Sequence, residues 1–212
     1  MRMPMNAAAA AVIGYTLGTL PSARLAVRMA GVDEEALERD GTGNPGAMNT
    51  SHVLGRGWGA AVSAADIAKG VAAAAMGRVL AGERGANLAA TAAVVGHCHP
   101  IRRRGGKGVA TSIGQVIGTF PAYLPIDVAV GMSTAALPWF RRRTEMATTV
   151  ASACWIGCGL LWWRRGWPCG LQRATDVAVP LGALASSAVI LARFRAESHL
   201  VDSYNTSEQR AA

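Results

Sequence analysis

Long apolar runs alternate with short polar breaks along nearly the whole chain. They cover residues 7–30, 57–80, 87–101, 108–124, 125–140, 146–163 and 176–193. Their length favours helices over strands. Several fall short of the roughly 20 residues that a helix perpendicular to a bilayer needs. The break between the fourth and fifth runs is only "FPAYLP", a Pro-bounded turn. A soluble Ala-rich bundle is the competing pattern, but the run 146–163, "MATTVASACWIGCGLLWW", carries no charge at all. The pattern therefore predicts an all-α, polytopic integral membrane helical bundle of about seven transmembrane helices, or five or six if the weakest runs merge. A single membrane-embedded domain is expected over 1–200, with a polar tail over 201–212. The first run is too long for a cleaved leader and lacks a clean cleavage site.

Composition agrees with that pattern. Of 212 residues, 51% are hydrophobic and 16% charged, against roughly 25% charged in ordinary soluble domains. Small residues dominate the apolar content, as they do where membrane helices approach closely. The net charge of +8 is unevenly placed. With the N-terminus outside, the inner segments hold twelve cations: Arg39, Arg56, Arg102, Arg103, Arg104, Lys107, Arg141, Arg142, Arg143, Arg193, Arg195 and Arg210. The outer segments hold five: Arg2, Arg84, Arg164, Arg165 and Arg173. Inner loops of membrane proteins carry the Lys/Arg excess, which makes the C-terminus and its tail cytoplasmic. The basic loops then face anionic membrane lipid. Nucleic acid is excluded as a partner because no aromatic residues interleave with the cations as stacking platforms. Cys98, Cys154, Cys158 and Cys169 have no metal-binding spacing, so no metal site is expected.

This topology brings two unusual loops to one face. The first is "DGTGNPGAMN", residues 40–49. Gly41, Gly43 and Gly46 permit close backbone approach, Pro45 stiffens the turn, and Asn44 and Asn49 supply amide groups. The second is "RRRGGKGVATSIG", residues 102–114. Gly105, Gly106 and Gly108 bare their N–H groups beside the N-terminus of a helix starting near Val109, and Lys107 adds a full charge. Thr111 and Ser112 add hydroxyls in the first turn. Exposed N–H groups at a helix N-terminus bind anions, so a phosphate-bearing ligand is expected there. The nucleotide-binding loop pattern fails, because glycine follows Lys107. Lipid anchoring would explain "RRR" but not "GGKG". His97, in "GHCHP", adjoins this loop. Asp66 and Lys69, three apart on one helical face, lie roughly 13 Å deep at 1.5 Å per residue. They are read as a polar pair that either floors a cavity beneath the two loops or locks helices together.

The fragments "GTLPSA", "GTGNPGAMN", "ADIAKG", "GHCHP" and "GGKGVATSIG" occur in an order that resembles the acyl-phosphate:glycerol-3-phosphate acyltransferases of bacterial membranes, the PlsY family. The resemblance covers most of 14–118 and, more faintly, the rest. It implies seven transmembrane helices in the bacterial cell membrane and an active site facing the cytoplasm. The implied reaction moves a fatty acyl group from acyl phosphate to glycerol 3-phosphate, giving lysophosphatidic acid and phosphate without a metal, acyl-CoA or other cofactor. His97 and Lys107 are the candidate catalytic residues, His97 as one possible proton acceptor and the leaving phosphate as another. Phosphate binding is expected at Thr42, Gly43, Asn44, Gly46, Asn49, His52, Gly105, Gly106, Gly108, Thr111 and Ser112, with Asp66 and Lys69 in support.

The chain departs from the family in several places. Thr42 stands for serine, Met48 for threonine and His52 for arginine. The stretch between "GHCHP" and "GGKG" is two residues shorter, and Thr144 is the nearest hydroxyl where the family has serine. Phe194 and Glu197 replace a histidine and an asparagine. These departures keep open a divergent or inactive paralogue with another acceptor. The Asp66–Lys69 pair keeps open a small membrane transporter or lipid-binding protein.

Overall fold

The computed structural model describes residues 3–39, 43–141, 143–170 and 174–211. Every regular element among them is helical. In chain order these are α1 (Met3–Gly18), α2 (Ser22–Met29), α3 (Ala36–Arg39), α4 (Ala47–Leu54), α5 (Arg56–Cys98), α6 (Val109–Thr119), α7 (Leu124–Ala136), α8 (Pro138–Arg141), α9 (Thr144–Arg165) and α10 (Ala178–Ala211). The helical backbone of α10 continues through most of the expected tail.

The sequence expectation of one helix over 7–30 is corrected. Pro21 has no N–H and disfavours helical geometry in the residue before it, so α1 stops at Gly18 and α2 starts at Ser22. Helix α5 is two arms in one run. At Ala81 (φ −146°, ψ 27°) and Gly82 (φ 63°, ψ −155°) the chain leaves helical geometry and turns back. A Cβ built on Gly77 would lie 2.7 Å from the Gly85 carbonyl carbon, so arms 56–80 and 83–98 pack backbone to backbone.

Helix α5, helix α9 and the 178–197 part of α10 are each long and apolar enough to cross a membrane. Residues 109–119 and 121–136 form a fourth candidate, bent by 115° at Phe120. The other expected runs are helical but shorter, because Pro21 and the Pro121–Tyr123 turn interrupt them.

Helix α5 is the hub. Gly14 and Gly18 of α1 lie on the backbone of Ala89 and Ala93, and a Cβ at either glycine would overlap a carbonyl of the second arm. Gly70 of the first arm faces α6, where an added Cβ would sit 2.8 Å from the Gln115 N. Such small-residue crossings let helices associate through close van der Waals contact where lipid supplies no hydrophobic drive. Buried Gln115 ties three elements together. Its Oε1 accepts from Ser186 Oγ of α10 (2.7 Å), and its Nε2 donates to Thr91 Oγ1 of α5 (3.0 Å).

The contacts define two ends of the bundle. At one end Tyr15 Oη donates to His99 O (2.8 Å), Arg193 reaches Gly105 O, and Arg195 pairs with Glu145 (3.3 Å). At the other Ala122 N donates to Cys169 O (3.0 Å) and Arg84 pairs with Asp176 (3.1 Å). The loops expected on the inner face share the first end.

Replacing Gly70 with Val forces a branched side chain into the α5–α6 backbone contact. It is expected to cost about 1–3 kcal/mol, as overpacking does. Gly131, whose built Cβ meets nothing within 4 Å, serves as control: Gly131→Ala is expected to leave the unfolding midpoint in detergent unchanged or slightly raised.

Candidate functional site

The break between α1 and α2 opens onto a cavity at the basic end, a solvent-open recess of about 380 Å³. Four parts of the chain build it: the break at 18–24, the tip of the first loop at Pro45, the α5 residues Asp66, Lys69 and His97, and the loop from Pro100 to Gly106.

Its floor is a hydrogen-bonded ionic cluster. Lys69 Nζ lies 2.8 Å from Asp66 Oδ1 and donates to Leu20 O (2.5 Å), a carbonyl freed by the Pro21 break. Ser22 Oγ donates to the same Asp66 oxygen (2.8 Å), and His97 Nδ1 stands 3.6 Å from it. Asp66 and Lys69 are 3% and 7% exposed, so both charges are withdrawn from solvent and depend on these partners. The cluster joins the α1–α2 break to both arms of α5. It therefore both floors the cavity and locks helices, the two roles weighed from sequence.

The glycine-rich loop is laid across the end of α5. Gly106 N donates to His97 O (3.1 Å), and a Cβ on Gly106 would overlap the imidazole at Nε2. A Cβ on Gly105 would lie 2.5 Å from His97 O. Both glycines line the cavity, and packing alone already demands them. Gly108, at φ 83°, starts α6 but sits against Cys98 Sγ, away from the cavity. Ser112 Oγ donates to Val109 O (2.8 Å), and Thr111 is fully buried against α5. Neither hydroxyl lines the cavity, and neither does Lys107, whose ammonium lies 2.9 Å from Glu197 Oε2.

Among the described residues of the first loop, Pro45 alone reaches the cavity lining. Thr42 lies outside the described residues. Gly43 (φ 61°) would carry a Cβ 3.3 Å from Arg104 Nη1, so this loop stands beside the arginine run. Asn44 and Asn49 are buried. Asn49 Nδ2 donates to Leu37 O (2.6 Å), and Gly46 N donates to Asn44 O (2.8 Å). Their contacts brace the loop itself. His52 is exposed on α4 and is not among the lining residues.

Sequence reasoning passed over Thr19, Ser22 and Arg24 as site residues and left the arginine run 102–104 as the alternative to His52; Thr19, Ser22, Arg24, Arg103 and Arg104 all line the cavity. The signal was available: Pro21 breaks an apolar run next to a threonine, a serine and an arginine. Arg24 is braced by Glu34 (2.9 Å) and Glu38 (3.0 Å). Its hydrogen bond to Glu34, aided by Arg28, holds that carboxyl below the usual range. The brace is therefore complete above the ordinary glutamate pKa and is lost as pH falls through the lowered one. Among the described residues no group of three His, Cys, Asp or Glu is placed to hold a metal ion.

Comparison with known proteins points the same way. A family model described as glycerol-3-phosphate acyltransferase matches residues 8–201. The glycerol-3-phosphate acyltransferase of Thermoanaerobacter pseudethanolicus is 32% identical over 161 residues, covering 75% of this chain and 79% of that protein. That of Rubrobacter xylanophilus is 38% identical over 144 residues, covering 66% and 67%. The crystal structure of PlsY, an integral membrane glycerol 3-phosphate acyltransferase, superposes in its glycerol 3-phosphate form with a TM-score of 0.72. The match is 25% identical and covers 93% of this chain and 92% of that one. The lysophosphatidic acid form gives 0.69.

Removing one member of a buried ion pair strands the other charge. Lys69→Met is thus expected to lower stability by about 3–5 kcal/mol. The double variant Asp66→Leu/Lys69→Met is expected to be more stable than Lys69→Met alone, measured by thermal unfolding in neutral detergent.

Proposed function

Because the chain belongs to the glycerol-3-phosphate acyltransferase family, we propose that its basic cavity seats glycerol 3-phosphate and that acyl phosphate is the donor. The chain is an integral membrane acyltransferase that acylates glycerol 3-phosphate, a step of phospholipid synthesis. The observation that carries the assignment of the site is the cavity itself: four cations, Arg24, Lys69, Arg103 and Arg104, converge on a recess beside His97.

In the reaction a glycerol hydroxyl oxygen attacks the acyl carbonyl carbon. The ester C–O bond forms, the C–O bond to the donor phosphate breaks, and phosphate leaves with the electron pair. The donor is already activated, so no covalent nucleophile is required. The protein's task is to hold two mutually repelling phosphates and the reacting atoms in register and to stabilise charge on the carbonyl oxygen and the departing phosphate. The hydroxyl proton passes to His97. Its Nδ1 faces Asp66, and its Nε2 lies on the side of the glycine-rich loop. Pro45, Arg103, Arg104 and the backbone at Gly105 and Gly106 line the approach for phosphate.

The proposed setting is the bacterial cell membrane, with the basic end cytoplasmic and lipid around the bundle. Seven segments cross or enter it: α1, the two arms of α5, α6, α7, α9 and α10, within one domain over 1–200. The chain direction alternates between the two ends, which supports an outer N-terminus and a cytoplasmic C-terminus. Eleven residues in α6 rise about 16 Å, well short of a hydrocarbon core of about 30 Å. The glycine-rich loop is thus recessed below the membrane surface, where a lipid donor and a water-soluble acceptor can meet.

Purified protein given acyl phosphate and glycerol 3-phosphate is expected to yield lysophosphatidic acid and one phosphate per turnover. Acylation of a different phosphorylated polyol instead would reassign the acceptor. His97→Gln is expected to lower kcat by about 10²–10⁴, the range of general-base loss. A kcat near wild type would give the proton to the leaving phosphate. Single cysteines in a cysteine-free background test the topology: position 103 is expected to resist an impermeant thiol reagent on intact cells, and position 168 to react.

A further inference from the structure

Lys107 is the cation that the glycine-rich loop of the sequence aims at phosphate, yet it is engaged elsewhere. Its ammonium lies 2.9 Å from Glu197 Oε2 and 4.5 Å from the centre of the Phe194 ring. Glu197 is 7% exposed, and its other oxygen stands 3.8 Å from Arg193. Arg193 in turn donates to Gly105 O (2.7 Å) and Gly106 O (3.4 Å). Four side chains thus fasten the glycine-rich loop to α10, with a buried carboxylate at their centre. Moving Lys107 toward a ligand would strand that carboxylate, and an unpaired buried charge is strongly unfavourable.

The cations that line the cavity divide in two. Lys69 is paired with Asp66, and Arg24 with Glu34 and Glu38. Arg103 and Arg104 line the same cavity without a carboxylate partner among the described residues. The chain turns at Arg102, whose φ is 63°, and Arg104 Nη1 reaches the first loop beside Gly43. A guanidinium offers a planar fork that matches phosphate oxygens two at a time.

The geometry points to Arg103 and Arg104 as the phosphate ligands of this cavity, with Glu197 as a positioning residue that commits Lys107 to holding the glycine-rich loop on α10. This assignment rests on the reading of the cavity as a glycerol 3-phosphate site. Phe194 and Glu197, which look like losses from a substrate site, are then the parts of a clamp. The shorter arginine-rich stretch before Gly105 supplies the charge that the clamp withdraws.

The test uses the full chain in neutral maltoside micelles, with and without added phosphatidylglycerol. Kinetics are read with acyl phosphate, and glycerol 3-phosphate binding by calorimetry without donor. Arg103→Gln and Arg104→Gln are each expected to raise KM and Kd for glycerol 3-phosphate about tenfold or more, with kcat changed little. Both arginines are exposed, so both variants are expected to fold. Lys107→Met or Glu197→Gln alone is expected to lower the unfolding midpoint and to raise KM for glycerol 3-phosphate. The double variant Lys107→Met/Glu197→Gln, which removes both charges together, is expected to regain a KM within about threefold of wild type. The assignment is overturned if both arginine variants bind as wild type while the double variant keeps the full KM defect of Lys107→Met. It is also overturned if the arginine variants differ from wild type only when phosphatidylglycerol is present, since they would then serve lipid headgroups. A wild-type protein that releases no phosphate from acyl phosphate would sink the proposed reaction instead. The arginine assignment would then be read from inorganic phosphate binding to wild type and Arg103→Gln/Arg104→Gln.

Discussion

A lysine ammonium buried in an apolar helix bundle has to be neutralised and hydrogen-bonded, and the way this chain does so at Lys69 organises the structure around it. Asp66, one helical turn away, supplies the opposite charge. A second hydrogen bond from the ammonium goes to Leu20 O, a carbonyl exposed by the break at Pro21. A proline break that would be a defect in a simple spanning helix is here the source of a ligand. The same contact fixes where the α1–α2 break sits against α5, and so where the cavity opens. Ser22 and His97 converge on the same carboxylate, so the reacting end of the molecule is built on a charge pair that cannot move without a large desolvation cost.

From that floor outward, position is transmitted by close backbone contact rather than by large side chains. Helix α1 lies on the second arm of α5, and α6 on the first, through glycines that leave no room for a Cβ. Such interfaces tolerate little sliding. Gln115, Thr91 and Ser186 add polar contacts that set rotation as well as separation. The loop over the cavity is held from both sides, by His97 beneath it and Arg193 above it.

Much of this was legible in sequence. The apolar runs predicted nearly every long helix, because exclusion of charge over many residues is a strong and local signal. Asp66 and Lys69 were legible for the converse reason, as charges where none should be. The break at Pro21 was missed, because the residues on either side of it are apolar enough to hide it in a hydropathy window. The glycines of the second loop were read as room for phosphate. The structure adds a second cause, since Gly105 and Gly106 must clear His97 and Cys98. One sequence signature thus served two physical demands that a pattern alone does not separate. The partners of Lys107 were beyond reach for another reason: Glu197 lies 90 positions away, and pairing at such separation is decided by how α10 packs.

The unequal treatment of cations follows from where each one sits. An exposed arginine remains hydrated and screened, at little cost and with little strength, until a ligand displaces its water. A lysine sunk among helices has to be paired at all times, whether or not a ligand is bound. Fixed pairs therefore belong to the floor and the clamp, where geometry must persist through the catalytic cycle. Guanidinium groups without a carboxylate partner among the described residues belong at the rim, where phosphate arrives from water and must leave again. A recess built this way presents a rigid base beneath an attractive but reversible entrance. That arrangement suits an enzyme which, on the proposed reading, has to bring two phosphates together and then release one of them.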